Sequence, residues 1–444
     1  MSLLTTPQLV RARAALLGCA VLAGLMLPLR ASAVPEKQFP TSTCFWQGPI
    51  EPSRAEFNIA FPDAKAVYWT AEFALPEGAS LSLDGAYGHG RYLSFNSYDQ
   101  AGSPTDAIHD VQIAPNAGSS NPYLPDAKRS AKNRDYEVMV LNESPPADPA
   151  DRAENTLYAA VAGQTRQALV YRLYVPDKNR DLTGGVGLPE VTLTLADGSV
   201  LTGEALCDLL QARDTILSTL TLPLALYNSL RNQPGKPETF PALDPPVFHR
   251  HFTVNHTVGC LYLGACGGAP PVSPGQYANI DNAYIIAQVN RGFGPVLVLR
   301  GKAPTTPPTF QRDPKFEGET QLRYWSMCQN ESLATTRGAG CLYDEQVPLD
   351  DEGNYTIVTS LAADRPSNAT TQCGVGWVPW PENGDGVSHP DDGLLILRNM
   401  LPAPTFPNAI QDIMLPGEEA AVMGPYLPVG EYTTKADFEA LGCK

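Results

Sequence analysis

Tyr68–Gly85 reads YWTAEFALPEGASLSLDG, and Tyr284–Gly301 reads YIIAQVNRGFGPVLVLRG. Laid over one another, the two stretches keep Tyr68-x-x-Ala71 over Tyr284-x-x-Ala287. They also keep Gly78-x-x-Leu81-x-Leu83-x-Gly85 over Gly294-x-x-Leu297-x-Leu299-x-Gly301, with identical spacing. Leucines two residues apart share one face of a strand. The flanking glycines suit turns at either end. Working outward, Arg91-Tyr92-Leu93-Ser94 matches Arg323-Tyr324-Trp325-Ser326, with sixteen extra residues ahead of the second copy. Tyr136-Glu137-Val138-Met139-Val140 then matches Tyr355-Thr356-Ile357-Val358-Thr359. Arg172-x-x-x-Pro176 finally matches Arg398-x-x-x-Pro402. Elements recurring in one order predict a tandem duplication.

The text around these elements is β-like. Glycine (37) and proline (42) punctuate short apolar runs of Val, Tyr, Leu and Ile, the pattern of many short strands joined by turns. The exception lies near residues 203–232. Leu206, Leu209 and Leu210 fall on one helical face that Thr202 can cap, and Leu222–Leu230 can continue as helix after Pro223. Pro234, Pro237, Pro241, Pro245 and Pro246 read as linker. The expectation is a mainly all-β chain of two antiparallel β-sandwich modules, at 45–200 and 249–430. Residues 201–248 form a helical, Pro-rich linker, and 431–444 a C-terminal tail.

Arg11 and Arg13, the apolar run Ala14–Leu27 and Ala31-Ser32-Ala33 have the layout of a cleavable secretory signal over residues 1–33. The run is short for a membrane span, which needs about 20 residues. Cys19 follows Leu16-Leu17-Gly18, but the apolar run continues past it, against a lipoprotein signal. Cleavage would remove three arginines and no acid, moving the net charge from −16 to −19. That balance argues against nucleic acid or an anionic membrane surface as partner, since both need a basic patch. Cys44, Cys207, Cys260, Cys266, Cys328, Cys341, Cys373 and Cys443 would remain, an even set that suits disulfides in an exported chain. Short loops favour Cys260–Cys266 and Cys328–Cys341. No C-x-x-C pair points to a zinc ribbon or a redox motif. The expected location is the periplasm or the extracellular medium, with no transmembrane segment.

Tyr92-Leu93-Ser94-x-x-x-Tyr98-Asp99, followed by Tyr171-Arg172-Leu173-Tyr174-x-Pro176-Asp177, resembles a family of bacterial exported domains of unknown function. The resemblance covers much of the first copy and, more weakly, the second, where Asn330-Glu331 replaces Tyr98-Asp99. It implies jelly-roll-like sandwiches of antiparallel strands and brings no catalytic residues.

No G-x-S-x-G elbow, H-E-x-x-H helix, Walker loop or dinucleotide fingerprint occurs. The duplication itself acts as a filter: residues in both copies hold the fold, and polar residues in one copy are site candidates. Arg91, Arg323, Arg172 and Arg398 are thereby structural. Tyr98, Asp99, His109 and Asp110 are the candidate acid–base set, since a carboxylate beside a histidine can orient a general base. His249 and His251 share a strand face and could chelate a metal if a third ligand arrived. Asp177, Asn179 and Asp181 alternate like the first half of a calcium loop, although Leu188 stands where the closing acid belongs. Trp377 and Trp380, in a region rich in glycine and proline, could stack on a sugar ring or grip an apolar ligand. The leading expectation is a protein that binds a carbohydrate or apolar small molecule, or supports the cell envelope. The alternative is a hydrolase or lyase working in the groove between the modules.

Overall fold

The computed structural model describes residues 38–51, 58–212, 221–268, 272–311, 316 and 319–443. The proposed signal and Cys19 lie outside them. The fold is mainly β. The first module holds β1 (Gln47–Ile50), β2 (Ala66–Phe73), β3 (Ser80–Ala86), β4 (Tyr92–Tyr98) and β5 (Pro104–His109). It continues with β6 (Asp135–Leu141), β7 (Thr156–Tyr158), β8 (Gln167–Tyr174), β9 (Glu190–Thr194) and β10 (Val200–Thr202). The second holds β11 (His249–Arg250), β12 (Asn282–Asn290), β13 (Val296–Lys302), β14 (Leu322–Asn330) and β15 (Gly338–Tyr343). It ends with β16 (Asn354–Ser360), β17 (Gly376–Pro379), β18 (Asp392–Pro402) and β19 (Val429–Thr433).

Strand order shows the duplication directly. One sheet of the first module runs β1-β2-β8-β4-β5, and its counterpart runs β11-β12-β18-β14-β15. The second pair runs β10-β9-β3-β6-β7 and β17-β16-β13-β19, the same path read in opposite directions and lacking one edge strand in the later copy. Leu81 and Leu83 lie opposite Val140 and Val138, and Leu297 and Leu299 lie opposite Thr359 and Ile357. All four leucines are fully buried. Burying each contributes about 1.5–3 kcal/mol.

Gly85 and Gly301 sit inside β3 and β13 rather than in turns. Each faces a tyrosine across the sheet, Tyr136 or Tyr355. A β-carbon would lie 2.7 Å from the Tyr136 hydroxyl at Gly85 and 2.6 Å from the Tyr355 hydroxyl at Gly301. The ring takes the space of the missing side chain, so these glycines repeat for packing reasons. Gly78 is the turn residue, at φ +69°.

The two kinds of sheet bury their strands differently. β6 alternates, with Tyr136, Val138 and Val140 buried between more open neighbours. β4 and β8 are buried along their whole length. One face of β4, Leu93 and Phe95, joins the core of its own module. The other carries Tyr92, Ser94, Asn96 and Tyr98 against the second module, where Tyr92 and Tyr174 pack with Tyr324, Tyr343 and Met400. The surface between modules is therefore buried, aromatic and polar.

Reciprocal ion pairs cross it. Arg91 donates to Asp344 at 2.6 Å and also bonds Glu345. Arg323 lies 3.3 Å from Asp110. Each aspartate also accepts a strand amide of its own module, from Leu93 at 2.9 Å and from Trp325 at 3.1 Å. Each opens a 3-10 turn, Asp110–Gln112 or Asp344–Gln346. Asp110 thus has a counterpart, and the premise that it is unique to the first copy fails. The insert before β14 and the different neighbours, His109 and Tyr343, hid the match.

Between the modules, α1 (Gly203–Leu210) and α2 (Leu224–Arg231) form where the apolar spacing predicts helix. Thr202 is the N-cap residue of α1, but its side chain makes no capping bond. α3 (Val254–Leu263) was not anticipated. Its apolar residues form no clear stripe, and it is capped by Thr253, which accepts from the His256 amide. Four disulfides join described residues: Cys44–Cys207, Cys260–Cys266, Cys328–Cys341 and Cys373–Cys443. The two short-loop pairings are as the spacing suggested. Among the described residues, no helix is long and apolar enough to cross a membrane.

Candidate functional site: a cavity between the modules

A cavity of about 100 Å³ opens between the facing sheets, built from matching parts of both modules. Tyr68 of β2 and Tyr284 of β12 line it, as do Arg172 of β8 and Arg398 of β18. In register, Tyr68 stands opposite Arg172 and Tyr284 opposite Arg398. Val170, Ile286, Leu333, Leu394 and Ile396 supply an apolar wall. Two loops, Ile59–Phe61 and Gly275–Asn279, add to the wall, together with Ile50, Thr70, Tyr174 and His251. Ala60 and Phe61 (φ 60° and 52°) and Gln276 and Tyr277 (54° and 55°) all adopt the left-handed conformation. Such a pair turns its carbonyl towards the other module. Arg172 donates to Tyr277 O at 2.5 Å, and Arg398 donates to Phe61 O at 2.6 Å.

The two arginines share a frame but not an electrostatic setting. Arg398 Nε lies 3.7 Å from the fully buried Asp63 carboxylate. Asp63 also accepts from the hydroxyls of Tyr324 (2.7 Å) and Ser326 (2.8 Å). The residue at the corresponding place in the second copy is Asn279, by the same offset that relates Tyr68 to Tyr284. It accepts from Tyr92 at 3.2 Å and brings no charge. Arg172 donates instead to Asn96 Oδ1 at 2.6 Å and lies between the rings of Tyr68 (5.5 Å) and Tyr98 (5.6 Å). No described lining residue is an acid. His251 adds no charge at neutral pH. Burial pushes its pKa down to about 4, and its ring nitrogens contact Thr257 Oγ1 (2.6 Å) and Pro274 O (3.0 Å).

The residues singled out from sequence are dispersed. Tyr98 packs under Arg172 and donates to Ala278 O at 2.9 Å. Asp99 accepts the amides of Ala101 and Ser103, shaping the turn after β4. His109 lies 3.0 Å from Asp281 of the other module. Burial disfavours its charged form, but the hydrogen bond and charge of Asp281 outweigh this and hold its pKa above the ordinary value. Asp110 belongs to the docking pair. None of these four lines the cavity. His249 is in β11, near the disulfide-bonded Cys260 and Cys266.

Asp177 is buried and paired with Arg129 at 2.5 Å. Asp181 Oδ1 accepts from Thr183 N, Thr183 Oγ1 and Gly185 N, and Asn179 takes a left-handed turn position. Trp377 lies on the parallel strand β17 with Arg365 over its ring at 4.3 Å. Trp380 is buried in the second core and donates to Asp392 O at 3.0 Å.

The sequence filter missed the cavity because it set repeated residues aside. Its arginines and tyrosines recur in both copies, and the informative signal was the change from Asp63 to Asn279.

No family model and no curated protein matches the chain. Solved structures align along much of its length. A Burkholderia cenocepacia protein described as uncharacterized is 16% identical and covers 89% of this chain and 84% of its own, at a TM-score of 0.45. The VPA0106 protein of Vibrio parahaemolyticus is 12% identical and covers 89% and 92%, at 0.38. The BSP domain of a biofilm associated protein is 10% identical and covers 84% and 52%, at 0.17.

Proposed function

We propose that this is an exported binding protein that holds a small, largely apolar molecule in the cavity between its two modules. The observation that carries the reading is the cavity itself, with side chains of both copies converging on an apolar wall. Ligand sites favour such concave apolar places between structural units, with a few oriented polar groups. A carbohydrate has less support than an apolar ligand, because Trp380 is core and Trp377 is covered by Arg365. The hydrolase or lyase alternative has less support because Tyr98, Asp99, His109 and Asp110 lie outside the cavity wall. Export is supported by the signal-like layout of residues 1–33 and by the four disulfides.

Thermal unfolding with toluene tests the site. A ligand at a hundredfold excess over its dissociation constant stabilises by about 2.7 kcal/mol, so the midpoint should rise. Val170→Trp and Ile396→Trp, filling the cavity from opposite modules, should remove the response. A response that survives both would put the binding elsewhere.

A further inference from the structure

The geometry points to a ligand that is a compact monocarboxylate with an apolar body, its carboxylate held by Arg172 and not by Arg398. This deepens the small-molecule reading and rests on it. A guanidinium taken out of water costs several kcal/mol unless a counter-charge accompanies it. At Arg398 the counter-charge is built in as Asp63. At Arg172, which is 4% exposed, no carboxylate among the described residues plays that part. Its partners are an amide oxygen, a peptide carbonyl and two tyrosine rings. A desolvated cation–π contact offsets about 2 kcal/mol or more and supplies no counter-charge.

The place where the second copy could have supplied a carboxylate holds Asn279, which lines the cavity and is itself buried. Among the described residues, the wall therefore carries one guanidinium charge with no carboxylate partner. The local hydrogen bonding is incomplete in the same spot. The carboxamide of Asn96, whose oxygen takes one Arg172 proton, presents a buried Nδ2 with no acceptor among the described residues. A carboxylate has two oxygens, and Arg offers a planar fork suited to it. Arg172 lines the cavity, so a carboxylate there can accept from its guanidinium, while Asn96 braces the guanidinium from outside the wall.

The rest of the cavity sets the body of the molecule. Val170, Ile286, Leu333, Leu394 and Ile396 offer no hydrogen-bonding side chain. The space, about 100 Å³, is smaller than the apolar cavity of about 150 Å³ that accepts benzene, so it sets an upper limit of one small ring or a short chain on the body.

Calorimetric titration of the mature chain with matched probes tests this. The acids are benzoate and hexanoate; the neutral partners are benzyl alcohol and hexanol. A charge-assisted bond to a buried group should make the acids bind about tenfold or more tighter than the alcohols. Arg172→Gln should abolish that preference and leave the alcohols bound. Asn279→Asp should also abolish it, by supplying the missing carboxylate while keeping Arg172. That second variant decides the matter if the first does not fold. Alcohols binding as tightly as acids would overturn the carboxylate while leaving the binding-protein reading intact. A preference that persists in both variants would place the anion elsewhere and overturn the role of Arg172. No binding of any probe would remove the cavity reading together with the carboxylate.

Discussion

The two halves of the central cavity share tyrosine, arginine and a left-handed loop, yet among the described residues only one of the two arginines has a carboxylate partner. In that half Arg398 has Asp63, which is braced by Tyr324 and Ser326. In the other half Arg172 has Asn96, Asn279 stands in the aspartate's place, and Tyr92 turns to Asp281 at 2.6 Å. The duplication preserved what the backbone needs and let a buried charge go. A fold can keep such a charge only if stability elsewhere tolerates it, and the extensive aromatic packing around it is one source of that tolerance.

The largest effect expected from breaking this comparison is at the half that holds Asp63. Asp63→Asn should cost about 3–5 kcal/mol in urea denaturation, because it leaves Arg398 buried without its partner. Asn279→Asp should cost nothing or stabilise. Equal losses from both would mean that Asp63 is no counter-ion to Arg398.

A second test sharpens the likeness. Gly85→Ala and Gly301→Ala should each cost about 1–3 kcal/mol by overpacking against the facing ring. The two losses should agree, because Tyr136 and Tyr355 occupy the same place and neither hydroxyl has a partner among the described residues. Markedly different losses would break the equivalence of β3 and β13.

The interface should also respond to pH through His109, whose counterpart Tyr343 does not titrate near neutrality. Because Asp281 raises the histidine's folded pKa, the pair stabilises the protein fully below the unfolded value near 6.5. That contribution fades as pH climbs through the raised folded value. Denaturation midpoints should therefore drop over that window, and His109→Gln should flatten the profile. An unchanged profile in His109→Gln would assign the pH response to another group.

The smallest effect concerns calcium. Asp177 already neutralises Arg129, and Asp181 is occupied by its own turn, so a cation would have to displace existing partners. Melting midpoints with calcium and with chelator should coincide. A midpoint that falls with chelator and recovers with calcium would restore the loop as a metal site.

Local pattern determined much of this protein. Alternation of Leu81 and Leu83, the order of repeated elements, the helix at Leu206–Leu210 and two short-loop disulfides are properties of neighbouring residues, and the chain carries them openly. The mainly β, duplicated architecture follows from them. The repeated glycines of β3 and β13 were visible but not their cause, which is a ring arriving from a strand about fifty residues away. The cavity was beyond reach for a similar reason. Arg172 meets Tyr277 O across 105 residues, and Arg398 meets Phe61 O across 337. Which face of β4 and β14 turns inward follows from alternation, but whether the other face meets water or a second module does not. Only docking decides that, and docking turns Tyr92, Asn96 and Arg172 from a polar surface into the lining of a buried interface.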